Sequence, residues 1–288
     1  MLTSKDLYYF VRIARPNNLG IALLTYGAAA YVSARWQWHF AADPRFWLEG
    51  LLIILIMATG YWVNDVYDFK IDRVNKPSRT YVGAYLSRKK VLTAYFAVLG
   101  FIALASLLLP FKFLLLNYPA MGALYVYARF YKRAAVVGNL IIASLTSAVI
   151  LAGGFLYYLK MPQAWMMAFA FLITFIREVT KDVEDIRGDL QFGLRTLPIL
   201  VGIRNTKRLL AVSYVAMLAA CNLPLVVQYG WNHTLNLPYL TASLLGVQLP
   251  LLYNVWLLAK AYKPADFGRQ SALLKIYMLT GLLSTLLL

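Results

Sequence analysis

Nine stretches of this chain are each long and apolar enough to bury a helix in hydrocarbon, which leaves little room for a water-soluble fold. They cover approximately residues 17–35, 46–64, 91–109, 112–128, 137–159, 163–181, 207–228, 237–259 and 270–288. A helix needs about 20 residues to cross a hydrocarbon core of about 30 Å, and each stretch is close to that length. Composition agrees with the spacing. Hydrophobic side chains make up 61% of the 288 residues and charged ones 14%, where a soluble domain carries roughly a quarter charged. A globule of this size could not hide so much apolar surface, and a disordered chain would not contain it. Cys221 is the single cysteine, so a disulfide framework is excluded. The expectation is an all-α integral membrane protein: nine transmembrane helices in one domain spanning 1–288, its two related halves surrounding a central cavity.

Net charge is +16, but it does not point to nucleic acid. Basic residues punctuate the apolar stretches instead of gathering on one face. Nine crossings sort the loops into two sets. One set holds, among others, Arg12, Arg15, Lys70, Arg73, Lys76, Arg79, Arg129, Lys132, Arg177, Lys181, Arg195 and Lys260. The opposite set holds only Arg35, Arg45, Lys112 and Lys160. The positive-inside rule makes the first set cytoplasmic, which places the N-terminus inside and the C-terminus outside an inner or plasma membrane. The first stretch follows Lys5, Arg12 and Arg15 and is longer than a cleaved signal's core, so it reads as a retained helix. Trp36, Trp38, Trp47 and Trp231 fall where an outer aromatic belt would lie.

The twelve acidic residues are unevenly placed. Asp6, Asp43, Glu49 and Asp266 stand apart; the rest form two clusters at the cytoplasmic ends of the second and sixth helices. The first reads Asn64-Asp65-Val66-Tyr67-Asp68-Phe69-Lys70-Ile71-Asp72. The second reads Lys181-Asp182-Val183-Glu184-Asp185-Ile186-Arg187-Gly188-Asp189. Both contain D-V-x-D-x-x-x-D, and each is followed by an Arg-Thr pair, Arg79-Thr80 and Arg195-Thr196. The repetition suggests a duplicated plan.

On a helix, Asp65, Asp68 and Asp72 share one face at i, i+3 and i+7, and Asn64, Asp68 and Asp72 share it at i, i+4 and i+8. Asp182, Asp185 and Asp189 are expected to repeat the first arrangement. Stacked carboxylates repel, and acids at membrane depth mark function by default. A divalent cation removes the repulsion. Oxygen ligands without His or Cys select a hard ion, Mg²⁺ before zinc, and Mg²⁺ completes its shell with substrate phosphate and water. Two such sites facing each other would hold a diphosphate. Lys70, Arg73, Lys76 and Arg79 near the first motif, and Arg177, Lys181 and Arg195 near the second, are candidates for its oxygens. The aromatic faces of Tyr61, Trp62 and Tyr67 are candidates for stabilising a cation.

At these residues the sequence resembles the UbiA-type intramembrane prenyltransferases. That family is marked by N-D-x-x-D-x-x-x-D after the second helix, here Asn64 to Asp72, and by D-x-x-x-D after the sixth, here Asp185 to Asp189. Arg15-Pro16-Asn17 and Tyr131-Lys132-Arg133 match as well, and the nine-helix plan extends the likeness over nearly the whole chain. The resemblance implies transfer of a polyprenyl group, geranylgeranyl first, from its diphosphate to a lipid-soluble or interfacial acceptor. It implies that Asn64, Asp68, Asp72, Asp185 and Asp189 hold Mg²⁺, with Asp65 and Asp182 beside them. Arg79, Lys132, Arg177 and Lys181 would bind diphosphate, and Asn17 and Arg15 would border the acceptor. Wording from Arg177 to Pro198 is most similar to the digeranylgeranylglyceryl phosphate synthase branch, which alkylates a glycerol-phosphate hydroxyl. Homogentisate-type enzymes have a similar second motif, so an aromatic acceptor of quinone biosynthesis stays open.

Two other classes fit less well. A cation transporter would carry its acids nearer the bilayer midplane, often beside broken helices. A CDP-alcohol phosphotransferase needs its acids in one continuous motif, whereas these clusters are over a hundred residues apart. There is no Walker-type loop, and His39 and His233 fall near the outer face, away from both motifs.

Overall fold

A computed structural model describes residues 3–131 and 134–288, the side chains of Arg79 and Asn232 excepted. A helix forms over every apolar stretch named above, and the described residues contain no strand beyond two isolated bridges. A short helix α1 (Ser4–Ile13) precedes α2 (Pro16–Ser33) and α3 (Pro44–Asn75). Then come α4 (Arg88–Ser106), α5 (Phe111–Arg129), α6 (Val137–Gly154), α7 (Met161–Glu184) and α8 (Ile186–Gln191). Helix α9 (Leu197–Asn232) is broken at Gly202. A turn of π-helix at Leu244–Gln248 joins α10 (Leu237–Ser243) to α11 (Leu249–Lys260), and α12 (Pro264–Thr285) ends the bundle. A tight turn at Leu109-Pro110 joins α4 to α5, with Pro110 capping α5.

Among the described residues, five segments are long and apolar enough to span a bilayer by themselves: α3, α4, α6, α9 and the α10–α11 run. The others are diluted for a local reason. Helices α2, α5, α7 and α12 contribute Asn17, Asn18, Asn117, Arg177, Glu178, Lys181 and Lys275 to an internal cavity, which lowers their hydropathy. The outer faces of α4, α9 and the α10–α11 run expose Leu104 (71%), Val215 (67%) and Leu245 (67%), among many. Exposed apolar surface on this scale requires lipid.

Close helix contact rests on small residues. Gly153 of α6 lies so near α2 that a Cβ there would stand 2.6 Å from Ala29 Cβ and 2.7 Å from the Tyr26 carbonyl oxygen. One end of the bundle gathers Arg35, Arg45, Lys112 and Lys160, with Lys160 Nζ 4.9 Å above the Trp36 ring. The chain's C-terminal end is held there too. Trp36 Nε1 donates to the Leu286 carbonyl (3.4 Å) and Asn236 Nδ2 to the Leu287 carbonyl (2.7 Å). Both acidic motifs lie at the opposite end.

Candidate functional site

Helix α3 runs unbroken for 32 residues, so the whole first motif is helical. Asn64, Asp65 and Asp72 line a cavity of about 910 Å³ in the bundle, and Tyr61 and Asn75 continue the same face. Asp68 stands at the centre of that face by helical spacing but is only 3% exposed and does not itself line the cavity.

The second motif departs from the expected geometry. Asp182 belongs to α7, Asp185 sits at a break (φ −91°, ψ 2°) and Asp189 belongs to α8. No continuous helix face carries the three. The break turns α8 against the end of α3, and Asn75 Oδ1 accepts the Gly188 N–H at 2.8 Å. Glycine lets the two approach this closely: a Cβ at 188 would lie 2.6 Å from the Asn75 amide and displace it. Beside it Lys76 Nζ meets Asp185 Oδ2 at 2.7 Å. These two contacts bring motifs more than a hundred residues apart in sequence to one cavity mouth. Asp182, Asp185 and Asp189 all line the cavity.

Most of the acids are paired. Arg15 donates to Asp65 Oδ1 at 2.7 Å, lies 4.6 Å from the Tyr61 ring centroid, and is near enough to Asp72 and Asp68 to feel both charges. Asn139 Nδ2 donates to Asp182 Oδ2 at 2.8 Å. Glu178 bridges Arg177 (2.7 Å) and Lys181 (2.9 Å), and all three line the cavity. Charged groups in a poorly hydrated space hold their geometry only through such pairing.

The expected site residues are therefore placed as follows. Asn64, Asp65, Asp72, Asp182, Asp185, Asp189, Arg177, Lys181, Asn17 and Arg15 converge on the cavity. Arg195 does not: residues 194–196 alternate buried, exposed, buried, so Thr196 turns inward and Arg195 outward. Lys70 and Arg73 stack on Phe69 outside the cavity, whereas Lys76 lines it. Arg79 lies in a single 3₁₀ turn, its side chain outside the described residues, and Lys132 is likewise outside them. Of the three aromatic candidates only Tyr61 faces the cavity, held by a hydrogen bond from Asn18 Nδ2 (3.1 Å). Trp62 donates to the Phe10 carbonyl (3.3 Å), and Tyr67 lies beneath Arg129 (5.4 Å). Asn75 and Lys275 complete the polar wall and were not singled out from sequence. Asn75 had a readable signal, lying three residues after Asp72 on the same face.

Whether these residues suit a metal can be judged from their atoms. Among the described residues no three His, Cys, Asp or Glu side chains cluster closely enough to hold an ion unaided. All the cavity's candidate ligands are hard oxygens, and Asn64 Oδ1 is buried there without a hydrogen-bond partner. A set with one or two carboxylates and an amide oxygen near hand, short of a full shell, suits Mg²⁺ bridged to phosphate.

The family model described as the UbiA prenyltransferase family matches residues 20–279. The chain is 32% identical over 281 residues to the digeranylgeranylglyceryl phosphate synthase of Thermococcus gammatolerans, covering 94% of each. It is 30% identical to the enzyme of the same name from Thermococcus sibiricus, covering 98% of this chain and 97% of that one. A solved structure of digeranylgeranylglyceryl phosphate synthase superposes with a TM-score of 0.75 at 25% identity, over 99% of this chain and 98% of that one. A UbiA homologue from Archaeoglobus fulgidus, solved with DMAPP and Mg²⁺, has the same fold at 19% identity (TM-score 0.67, covering 94% and 97%).

Proposed function

This chain belongs to the UbiA prenyltransferase family, and from that premise we propose that it moves a geranylgeranyl group from its diphosphate to the hydroxyl of a glycerol-phosphate ether lipid. The observation that carries this reading is the junction of the two motifs, Lys76 to Asp185 (2.7 Å) and Asn75 to Gly188 (2.8 Å), at one end of a cavity whose deeper walls are apolar. The names of the full-length relatives support the acceptor. Nine crossings in two related halves, forming a single domain with the N-terminus and site cytoplasmic, complete the proposal; the basic residues left at the opposite end support the orientation.

Asn64, Asp72, Asp185 and Asp189 would hold Mg²⁺, with Asp65, Asp182 and the buried Asp68 in support. Bound there, Mg²⁺ supplies charge neutralisation for the departing diphosphate. Arg177, Lys181 and Lys76 bind its oxygens, together with Arg79 and Lys132 from the adjoining loops, and lower the energy of the charge that builds as the allylic C–O bond breaks. The bonding electrons leave with the diphosphate. Tyr61 presents its ring to the allylic cation. The acceptor hydroxyl oxygen, oriented near Arg15 and Asn17, forms the new C–O bond and gives its proton to the departed diphosphate. Burial at about 0.8 kcal/mol per CH₂ gives the prenyl tail ample binding energy.

The test uses the full protein in detergent or nanodiscs with geranylgeranyl diphosphate and competing glycerol-phosphate and aromatic acceptors, with products read by mass spectrometry. An ether lipid is expected. Asp68→Ala and Asp185→Ala are each expected to cut transfer at least a hundredfold with the helical content intact, and EDTA to abolish it until Mg²⁺ is restored. A prenylated aromatic product overturns the acceptor; undiminished transfer in EDTA overturns the metal.

A further inference from the structure

Glu178 lies outside both acidic motifs, and no step above uses it. It lines the cavity, with 10% of its side chain exposed there. Both of its oxygens are engaged by cations of its own helix. Arg177 Nη1 donates to Oε1 at 2.7 Å, and Lys181 Nζ donates to Oε2 at 2.9 Å. Arg15 of α2 is near enough for its charge to reach Glu178 and Lys181, and the charge of Lys76 reaches Lys181. Arg15, Lys76, Arg177 and Lys181 therefore surround one stretch of the cavity wall, and the last three are those assigned above to the donor's diphosphate.

A carboxylate and a phosphate compete for the same donors, because each presents anionic oxygens to the same N–H groups. Without a carboxylate between them, Arg177 and Lys181 would repel each other in a poorly hydrated space and lack the pairing that buried charges need. Such a site would also grip the pyrophosphate product as firmly as the donor, which does nothing to speed the reaction. We propose that Glu178 is a resident stand-in for the diphosphate: it holds Arg177 and Lys181 while the site is empty, yields them to the donor, and takes them back as pyrophosphate leaves. Its own negative charge, bonded to the cations that hold the product, weakens that hold where little water is present to screen it. This rests on the prenyl-transfer reading above and adds to it the residue that governs product release.

The experiment titrates the full-length protein in nanodiscs with pyrophosphate in the presence of Mg²⁺, by calorimetry, and follows dissociation of the labelled ion. Glu178→Gln keeps the shape and removes the charge. It is expected to bind pyrophosphate at least tenfold more tightly and to release it at least tenfold more slowly, with kcat and KM for geranylgeranyl diphosphate both lowered. Parental or weaker affinity in the folded variant overturns the stand-in; the weaker value would make Glu178 a mere prop for the two cations. Should Glu178→Gln fail to fold, infrared difference spectra decide. The chain has three glutamates, Glu49, Glu178 and Glu184. With their carboxyls labelled by carbon-13, pyrophosphate is expected to shift one carboxylate stretch, and the shift is expected to persist in Glu184→Gln. No shift, or one lost with Glu184→Gln, overturns the proposal. A parent that does not bind pyrophosphate at all refutes the transferase reading instead.

Discussion

The Asp6 carboxylate accepts the Thr3 backbone N–H (2.9 Å) and Lys90 Nζ (2.9 Å), and these contacts, the backbone one foremost, hold its pKa down to about 2. Asp6 lies on α1, ahead of the first span. Its folded value is below the ordinary aspartate value of about 3.9. Its contribution to seating α1 is therefore complete above about pH 4 and is lost as pH falls through about 2. Amide exchange along Ser4–Ile13 is expected to accelerate across that window, and Asp6→Asn to flatten the dependence; a parental profile in the variant refutes the assignment. At the site, side-chain chemistry names some residues and not others. Carboxylates repeated at helical spacing announce themselves. Lys76 does not, because Lys70 and Arg73 look alike in sequence and only the last turn of α3 decides which cation faces inward.

Helix α6 packs on α2 through Gly153 and Gly154 against Ala29, Ala30 and Ser33, whose hydroxyl donates to the Gly154 carbonyl at 3.2 Å. In lipid such contacts depend on close backbone approach, since hydrocarbon offers no hydrophobic gain between helices. Gly153→Leu places its side chain into the α2 backbone and is expected to cost at least 1–3 kcal/mol, the usual range for overpacking. Thermal unfolding in detergent checks this, and an unchanged midpoint contradicts it. The break at Asp185 acts at the same scale. Had α7 continued straight, Asp189 would have risen past the cavity; instead α8 folds against α3, where Asn75 receives Gly188. Nothing in the wording Asp185-Ile186-Arg187-Gly188-Asp189 announces a break. No proline interrupts it, and past the break α8 lies against α3.

Across the whole molecule, orientation is open to direct measurement. Cys221 is the only cysteine and is 2% exposed, so it is silent to an impermeant maleimide. Leu235→Cys, at the end holding the C-terminus, is expected to label on intact cells, and Ser4→Cys only after permeabilisation. The opposite pattern reverses the proposed topology. The helical stretches, their approximate bounds, the uneven basic loops and the two oxygen-rich motifs follow from the sequence alone, because hydropathy, charge and helical spacing are local properties of the chain. The junction of the motifs through Lys76 and Asp185, the outward turn of Arg195 and the buried pairing of Glu49 with Asn117 do not follow from it. Each depends on which faces of distant helices meet, and that is fixed by close packing of small residues and by pairing charges that have no water to solvate them.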